Sequence, residues 1–407
     1  MRGVGLQTNQ RETIVTSNTI TRSRLRSLSL NLTALAAGGV AAILLLEILL
    51  NLYNPLQVRI KGNHIVLLAN KTYHLKNDSI PSLDPVVTVT RNSLGFRGPN
   101  PPKDFGDHLT IISVGGSTTQ CFLLSDDETW TARLATHLKQ SFSNIWVNNA
   151  GLDGHSTHGH IVLLEDYICK LHPKVVLFLI GANDIDRSSN EEFDAENVKG
   201  HILFNSPKAF VKSLSAYSEV ASLLGGLYRS VNAYKLGLMH QFIELRRVPY
   251  RDPSKDTADR YIASHTQDSA LRAFQDRVNR LIAICHANGI EPVLITQPIL
   301  VGFGVDDLTK VDLARISIDP GLNGNTQWRI LEAFNDVTRR VGREQNVIVV
   351  DLAHRLPKSS RYYYDFIHYT NAGAQAIADI LYQDLCPALG KQFPGYFSGS
   401  CPLCSKR

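Results

Sequence analysis

The sequence predicts an α/β protein. A parallel sheet carries helices on both faces, and one membrane-spanning helix and a small β-rich segment precede it. Three observations support this. From residue 109 onward, short β-leaning apolar runs alternate with helical patterns. The run 174–180, KVVLFLI, is nearly continuous in apolar residues, as a strand covered on both faces must be. Residues 28–46 hold no charge, and the apolar stretch continues past Glu47 to about 52, enough to cross ~30 Å of hydrocarbon as a helix.

The composition fits a chain with a real core: 407 residues, 43% hydrophobic and 19% charged. The net charge of +5 owes much to Arg2, Arg11, Arg22, Arg24 and Arg26, so it does not point to nucleic acid. Those arginines precede the apolar stretch and set the N-terminus in the cytoplasm, with everything after the span on the far side of the membrane. Tyr53 suits an interfacial anchor. The alternative is a cleaved signal, whose apolar core is shorter (about 7–15 residues) and ends in a small-residue cleavage site. Here the run ends in Leu-Asn-Leu-Tyr-Asn-Pro. Six cysteines are too sparse for a disulfide scaffold. Cys401 and Cys404 form a C-x-x-C that reads as two thiols on a flexible tail.

Taken in order, residues 1–27 form a basic, disordered cytoplasmic tail, and 28–53 the signal anchor. Residues 54–106 form a membrane-proximal β-rich segment: QVRIKGNHIVLL and VVTVTRNSLGF read as short strands and a hairpin, closed by a linker at Pro99, Pro101 and Pro102. Residues 107–388 form the α/β domain. Its strands are expected at 109–114, 144–149, 174–180, 292–296 and 347–350. Its helices are expected after the cap at 126–129 and at 157–171, 268–288, 328–344 and 372–385. Residues 185–265 interrupt this rhythm. Ser206-Pro207 opens a helix there, with Phe210, Leu214, Tyr217, Leu224 and Leu227 at near-helical spacing, either over the carboxyl end of the sheet or as an ordinary packing helix. Residues 389–407 are a C-terminal tail.

Four polar features fall at carboxyl ends of strands or before the last helix, where open α/β sheets bind ligands. Ser117 follows LTIISVGG. Gly154 closes NAGLDG, Asn183 stands in GAND, and Asp365 and His368 lie in DFIH. A serine hydroxyl needs a base to become a nucleophile, and that base needs a group to hold its tautomer. His368 can be the base and Asp365 its partner. The N–H groups of Ser117 and Gly154 and the Asn183 amide can receive the oxyanion; losing one such donor costs about 10²–10³ in rate. Asp351 rivals Asp365 but lacks the three-residue link to His368. Asp153, His155, His158 and His160 could ligate a metal, but the spacing lacks a zinc signature, so neither a metal nor a cofactor is expected. His64, His74 and His354 stand isolated.

The order of these blocks resembles the SGNH (GDSL-like) hydrolase family, over roughly 107–388. GGSTT at 115–119 matches the nucleophile block, and NAGLDG, GAND and DFIH match the other three. The resemblance implies a flavodoxin-like three-layer α/β/α domain and serine-type ester hydrolysis. In it Ser117 is the nucleophile, His368 and Asp365 complete the triad, and Ser117, Gly154 and Asn183 are the oxyanion donors. Position 116 departs from the family name motif, with Gly in place of Asp. A GGS-T form preceded by N-S-x-GFRG is also familiar, and residues 92–98, NSLGFRG, match it. Such proteins resemble envelope-facing bacterial esterases linked to extracellular polysaccharide.

The expectation is a membrane-anchored serine esterase with an extracytoplasmic catalytic domain. It would remove acyl groups, acetyl foremost, from a carbohydrate or another small envelope ester, with no nucleic-acid partner. The sequence carries no marker of oligomeric state. The alternatives are an O-acyltransferase on a surface polysaccharide, a lipase or lysophospholipase, and a non-catalytic glycan-binding module.

Overall fold

The computed structural model describes residues 9–52, 60–61, 64–185, 210, 213–235, 240–318 and 322–402. Tyr53, Ser206 and Pro207, named above, lie outside the described residues. The chain forms two compact units, Met1–Gly62 with Ile202–Ser230, and Asn63–His201 with Val231–Arg407.

In the larger unit, strand β1 (Lys71–Lys76) pairs antiparallel with β2 (Val86–Arg91), Tyr73 opposite Val89. Strand β2 falls within the VVTVTRNSLGF stretch expected to be extended, whereas its partner β1 lies between the two stretches expected. Val87 and Val89 on one face of β2 are buried. A five-stranded sheet follows: β3 (Leu109–Gly115), β4 (Ile145–Asn149), β5 (Val175–Ile180), β6 (Glu291–Thr296) and β7 (Ile348–Val350). Every pairing is parallel and the spatial order is β4-β3-β5-β6-β7. This is the doubly wound order whose switch point lies between its first and third strands, here β3 and β5.

The period of two along β5 sorts its side chains between two cores. Val175, Leu177 and Leu179 join one apolar cluster, with Leu134 and Leu138 of the helix Trp130–Leu138 and Ile377, Leu381 and Leu385 of the helix Asn371–Gln392. Val176, Phe178 and Ile180 join the other, with Ile161, Phe274, Val278 and Phe334 from the helices Thr157–Leu163, Asp268–Ala287 and Gly324–Glu344. The domain is therefore a three-layer α/β/α sandwich, as expected. All six β5 residues are buried, and each such aliphatic or aromatic side chain contributes about 1.5–3 kcal/mol by leaving water.

Two readings need correction. Cys401 is not a tail thiol: it is disulfide-bonded to Cys386 in the last helix, 15 residues back. The tail folds onto the domain because Phe397 packs on Phe142 and the Ser398 N–H donates to the Ser141 carbonyl. Cys404 lies outside the described residues. The second correction concerns the basic segment 1–27, which was expected to be disordered. From Asn9 it is the first part of the helix Asn9–Leu52, since extending an existing helix is far cheaper than nucleating one.

In the smaller unit, Leu28–Leu52 of that helix is apolar and long enough to span a bilayer, and its large side chains, Leu44, Ile48 and Leu49 among them, are exposed. The helix Glu219–Lys235 begins in this unit.

Candidate active site

Strand β3 ends at Gly115 and the chain turns at once into the short helix Ser117–Gln120. Two glycines make this turn possible. A Cβ on Gly115 would lie 2.7 Å from the Leu179 carbonyl of the neighbouring strand, and one on Gly116 would lie 2.2 Å from Asn183 Nδ2. The Ser117 N–H opens this helix, where no carbonyl of a preceding turn is in place to receive it. Behind it, the Thr118 hydroxyl donates to Gln297 Oε1 at 3.0 Å, and Gln297 Nε2 donates to the Tyr369 hydroxyl at 3.1 Å.

His368 and Asp365 come from a tight loop between the Tyr363–Tyr369 bridge and the Thr370 cap of the last helix. Ser117 Oγ lies 2.8 Å from His368 Nε2, and His368 Nδ1 lies 2.6 Å from Asp365 Oδ2. The other Asp365 oxygen accepts from the Ile367 and His368 N–H groups at 2.8 and 2.7 Å. Burial alone would push the Asp365 carboxyl up. The charge and ring N–H of His368, with those two backbone donors, outweigh it and hold the carboxyl below its ordinary value.

Asn183 follows β5 and lines the same open cavity as Ser117. Its Nδ2 donates to the His155 carbonyl at 3.0 Å, leaving a second N–H. The adjacent Asp184 is not a free acid. It accepts from the Thr157 N–H at 3.1 Å and from Arg277 at 3.3 Å, fastening the loop to the helix Thr157–Leu163. Burial pushes its carboxyl up, against the pull of Arg277. Gly154 stands apart. It lies exposed in the turn closed by the His155 N–H on the Leu152 carbonyl, with φ +72°, and lines neither cavity beside Ser117. That turn is tied back to the serine by the Leu152 N–H on the Gly115 carbonyl at 3.0 Å and the Asp153 N–H on Gln120 Oε1 at 2.6 Å. A second cavity borders Ser117 and His368 and is walled by Leu123, Leu124 and Tyr364. The Cys121 thiol on its wall is pushed up to about 12, mainly by burial.

Other candidates have separate tasks. Asp351 bonds Thr296, Arg339 and His354 at 2.8–2.9 Å, so His354 is not isolated. His160 is buried, and burial with neighbouring His155 pulls it down to about 3. Among the described residues, ligating side-chain atoms converge within 4.8 Å at His240, Asp365 and His368, and not at Asp153, His155, His158 and His160.

Two further residues support the site: His240, which no motif marks, and Arg97, whose stretch matches a motif that gives it no role. His240 packs its ring 4.1 Å from the His368 ring, with Nδ1 2.8 Å from the Tyr364 hydroxyl and Nε2 3.4 Å from Asp153. It comes from a loop with no motif around it. Arg97 of the GFRG stretch is buried, and its guanidinium donates to the carbonyls of Gln120, Cys121 and Leu124 at 2.7–2.8 Å and to Asp126 at 2.8 Å. Asn92 of the same stretch donates to Asn148 at 2.9 Å. The segment 92–98 thus clamps the turn that presents Ser117.

Comparison with known proteins places the chain in a family. The model of the GDSL-like lipase/acylhydrolase family matches residues 105–376. No curated protein matches in sequence. Among solved structures, the chain is similar to three esterases or hydrolases. Axe2, an acetylxylan esterase from Geobacillus stearothermophilus, is 14% identical, with 68% of this chain and 93% of that one covered and a TM-score of 0.38. The acetyl xylan esterase AlAXEase is 13% identical, with 67% and 98% covered and a TM-score of 0.37. LAE5, an alpha/beta hydrolase enzyme from the metagenome of Lake Arreo, Spain, is 15% identical, with 67% and 92% covered and a TM-score of 0.37. The family model takes in all four blocks, from the Ser117 turn to the Asp365–His368 loop, and the chain belongs to the GDSL-like lipase/acylhydrolase family of ester-hydrolysing serine enzymes.

Proposed function

We propose that the protein is a membrane-anchored esterase that removes small acyl groups, acetyl foremost, from a carbohydrate or other small ester outside the cytoplasm. The observation that carries this is the 2.8 Å approach of Ser117 Oγ to His368 Nε2, with Asp365 2.6 Å from the far ring nitrogen. Ser117 attacks the ester carbonyl while His368 takes its proton. Asp365 holds the ring and balances the imidazolium. The oxyanion is received by the Ser117 N–H and the second N–H of Asn183. His368 then protonates the departing alcohol. Water, deprotonated by the same ring, releases the acyl group and restores Ser117. The arginines before an apolar helix and the Cys386–Cys401 disulfide support a domain in an oxidising, extracytoplasmic compartment.

The test is turnover of nitrophenyl acetate, butyrate and octanoate by the full chain in detergent. The wild type should prefer acetate, and Ser117→Ala and His368→Ala should each lower kcat by ~10³ or more. A folded but inert wild type, or a Ser117→Ala variant that keeps its rate, would overturn the reading.

A further inference from the structure

The smaller unit holds a charge in an unusual place. Glu47 lies inside the apolar stretch Leu28–Leu52, five positions before its end, or about 7–8 Å along the helix axis. An ionised carboxylate at that depth is costly unless protein groups satisfy it. Here they do. Its oxygens accept from the Ser218 hydroxyl at 2.9 Å, from the Val220 N–H at 3.1 Å and from the Glu219 N–H. These donors are the first turn of the helix Glu219–Lys235, whose positive dipole end also favours a carboxylate. The start of that helix is therefore fixed at the depth of Glu47.

The helix has two unlike faces. Ala221 and Ser222 are buried. Leu224, Leu227, Tyr228 and Val231 recur at spacings of three and four and are 49–63% exposed, with Tyr217 before the helix at 69%. A stripe of large apolar side chains held open to water marks an interaction surface. Leu44, Leu45, Ile48 and Leu49 around Glu47 are exposed in the same way. The exposed apolar residues of both helices thus flank, in sequence, the residues that meet at Glu47.

We propose that the helix Glu219–Lys235 is a second membrane element. It lies in the outer interface of the bilayer, with Leu224, Leu227 and Tyr228 among the acyl chains and its N-terminus locked to the anchor by Glu47. This rests on the reading of Leu28–Leu52 as a membrane anchor. An amphipathic helix of this kind binds by the apolar area it buries in the headgroup–acyl boundary.

The test reads depth by tryptophan quenching. The native Trp130, Trp146 and Trp328 are buried in the α/β domain, so the emission added by a new tryptophan is separable. The full chain is reconstituted in phosphatidylcholine vesicles with and without brominated acyl chains. Leu44→Trp reports the anchor and Leu227→Trp the second helix. The added emission of both should fall at least twofold in brominated lipid. Adding Glu47→Ala should relieve quenching at 227 while leaving it unchanged at 44. Quenching at 44 without quenching at 227 overturns the docked helix and leaves the anchor standing. No quenching at 44 overturns the anchor itself, and the proposal with it. Quenching at 227 that ignores Glu47→Ala overturns the lock. Unchanged turnover of nitrophenyl acetate in detergent shows that each variant is folded.

Discussion

Gly116 shows how one residue type sets the chemistry available beside the nucleophile. The family name motif has Asp at this position. Here the absence of a side chain lets Asn183 Nδ2 approach to where a Cβ would stand, 2.2 Å away. The nearest obstacle to a side chain is the movable end of Asn183, with the His155 carbonyl next at 3.3 Å, so a substitution should displace the amide before it disturbs the fold. Gly116→Asp is therefore expected to lower kcat on nitrophenyl acetate by about 10², the scale of one lost oxyanion donor, with Tm nearly unchanged. An unaltered kcat would show that Asn183 has no part in stabilising the oxyanion. A large drop in Tm would show instead that the turn cannot accept a side chain.

At the scale of an element, the stretch 92–98 acts as a clamp and not as part of the chemistry. Antiparallel bonds between Arg97 and Asn149 join it to β4, and the Arg97 side chain gathers three carbonyls that follow the nucleophile turn. Removing that side chain leaves three buried carbonyls without their donor and the Asp126 carboxylate with the Thr90 N–H and hydroxyl but no charge partner. The cost of breaking a buried, charge-assisted network is about 3–5 kcal/mol. Arg97→Ala should thus lower Tm by several degrees or more, and at temperatures where it is still folded it should lower kcat more than it raises KM. Arg97→Lys, which keeps the charge but loses the planar fork, should recover only part of both. Wild-type stability in Arg97→Ala would mean that water replaces the guanidinium. None of this was readable from hydropathy. An arginine in a Gly-rich stretch looks like a solvated loop residue until the carbonyls it serves, about 25 positions later, are brought beside it.

For the whole molecule, what the sequence made legible follows from range. The β3 and β5 runs, the helices between strands and the order of the four blocks are local patterns; Ser117 and Asn183 follow the carboxyl ends of the adjacent strands β3 and β5, and the loop before the last helix brings His368 and Asp365 to Ser117. What escaped is set by packing between distant segments. His240 over the triad, the Arg97 clamp and the pairing of Cys401 with Cys386 instead of with its neighbour in C-x-x-C are of this kind. The disulfide permits a test at this scale. It closes a loop of 15 residues between the last helix and the chain end, and in the chain-entropy account a loop of that length contributes about 3 kcal/mol by restricting the unfolded chain. Cys386 lies about four helical turns beyond Asn371, where the helix that follows His368 begins, so the bond stabilises the domain without touching the reacting groups. Cys386→Ser with Cys401→Ser, or reduction of the wild type, should lower Tm by several degrees and leave kcat at 25 °C unchanged. Thiol titration of the denatured chain, with and without prior reduction, should differ by two thiols. If that titration shows no difference, the bond does not form in the cell, and the oxidising compartment proposed for the domain loses its support. If kcat falls with Tm unchanged, the C-terminal segment acts on the site and not merely on the stability of the fold.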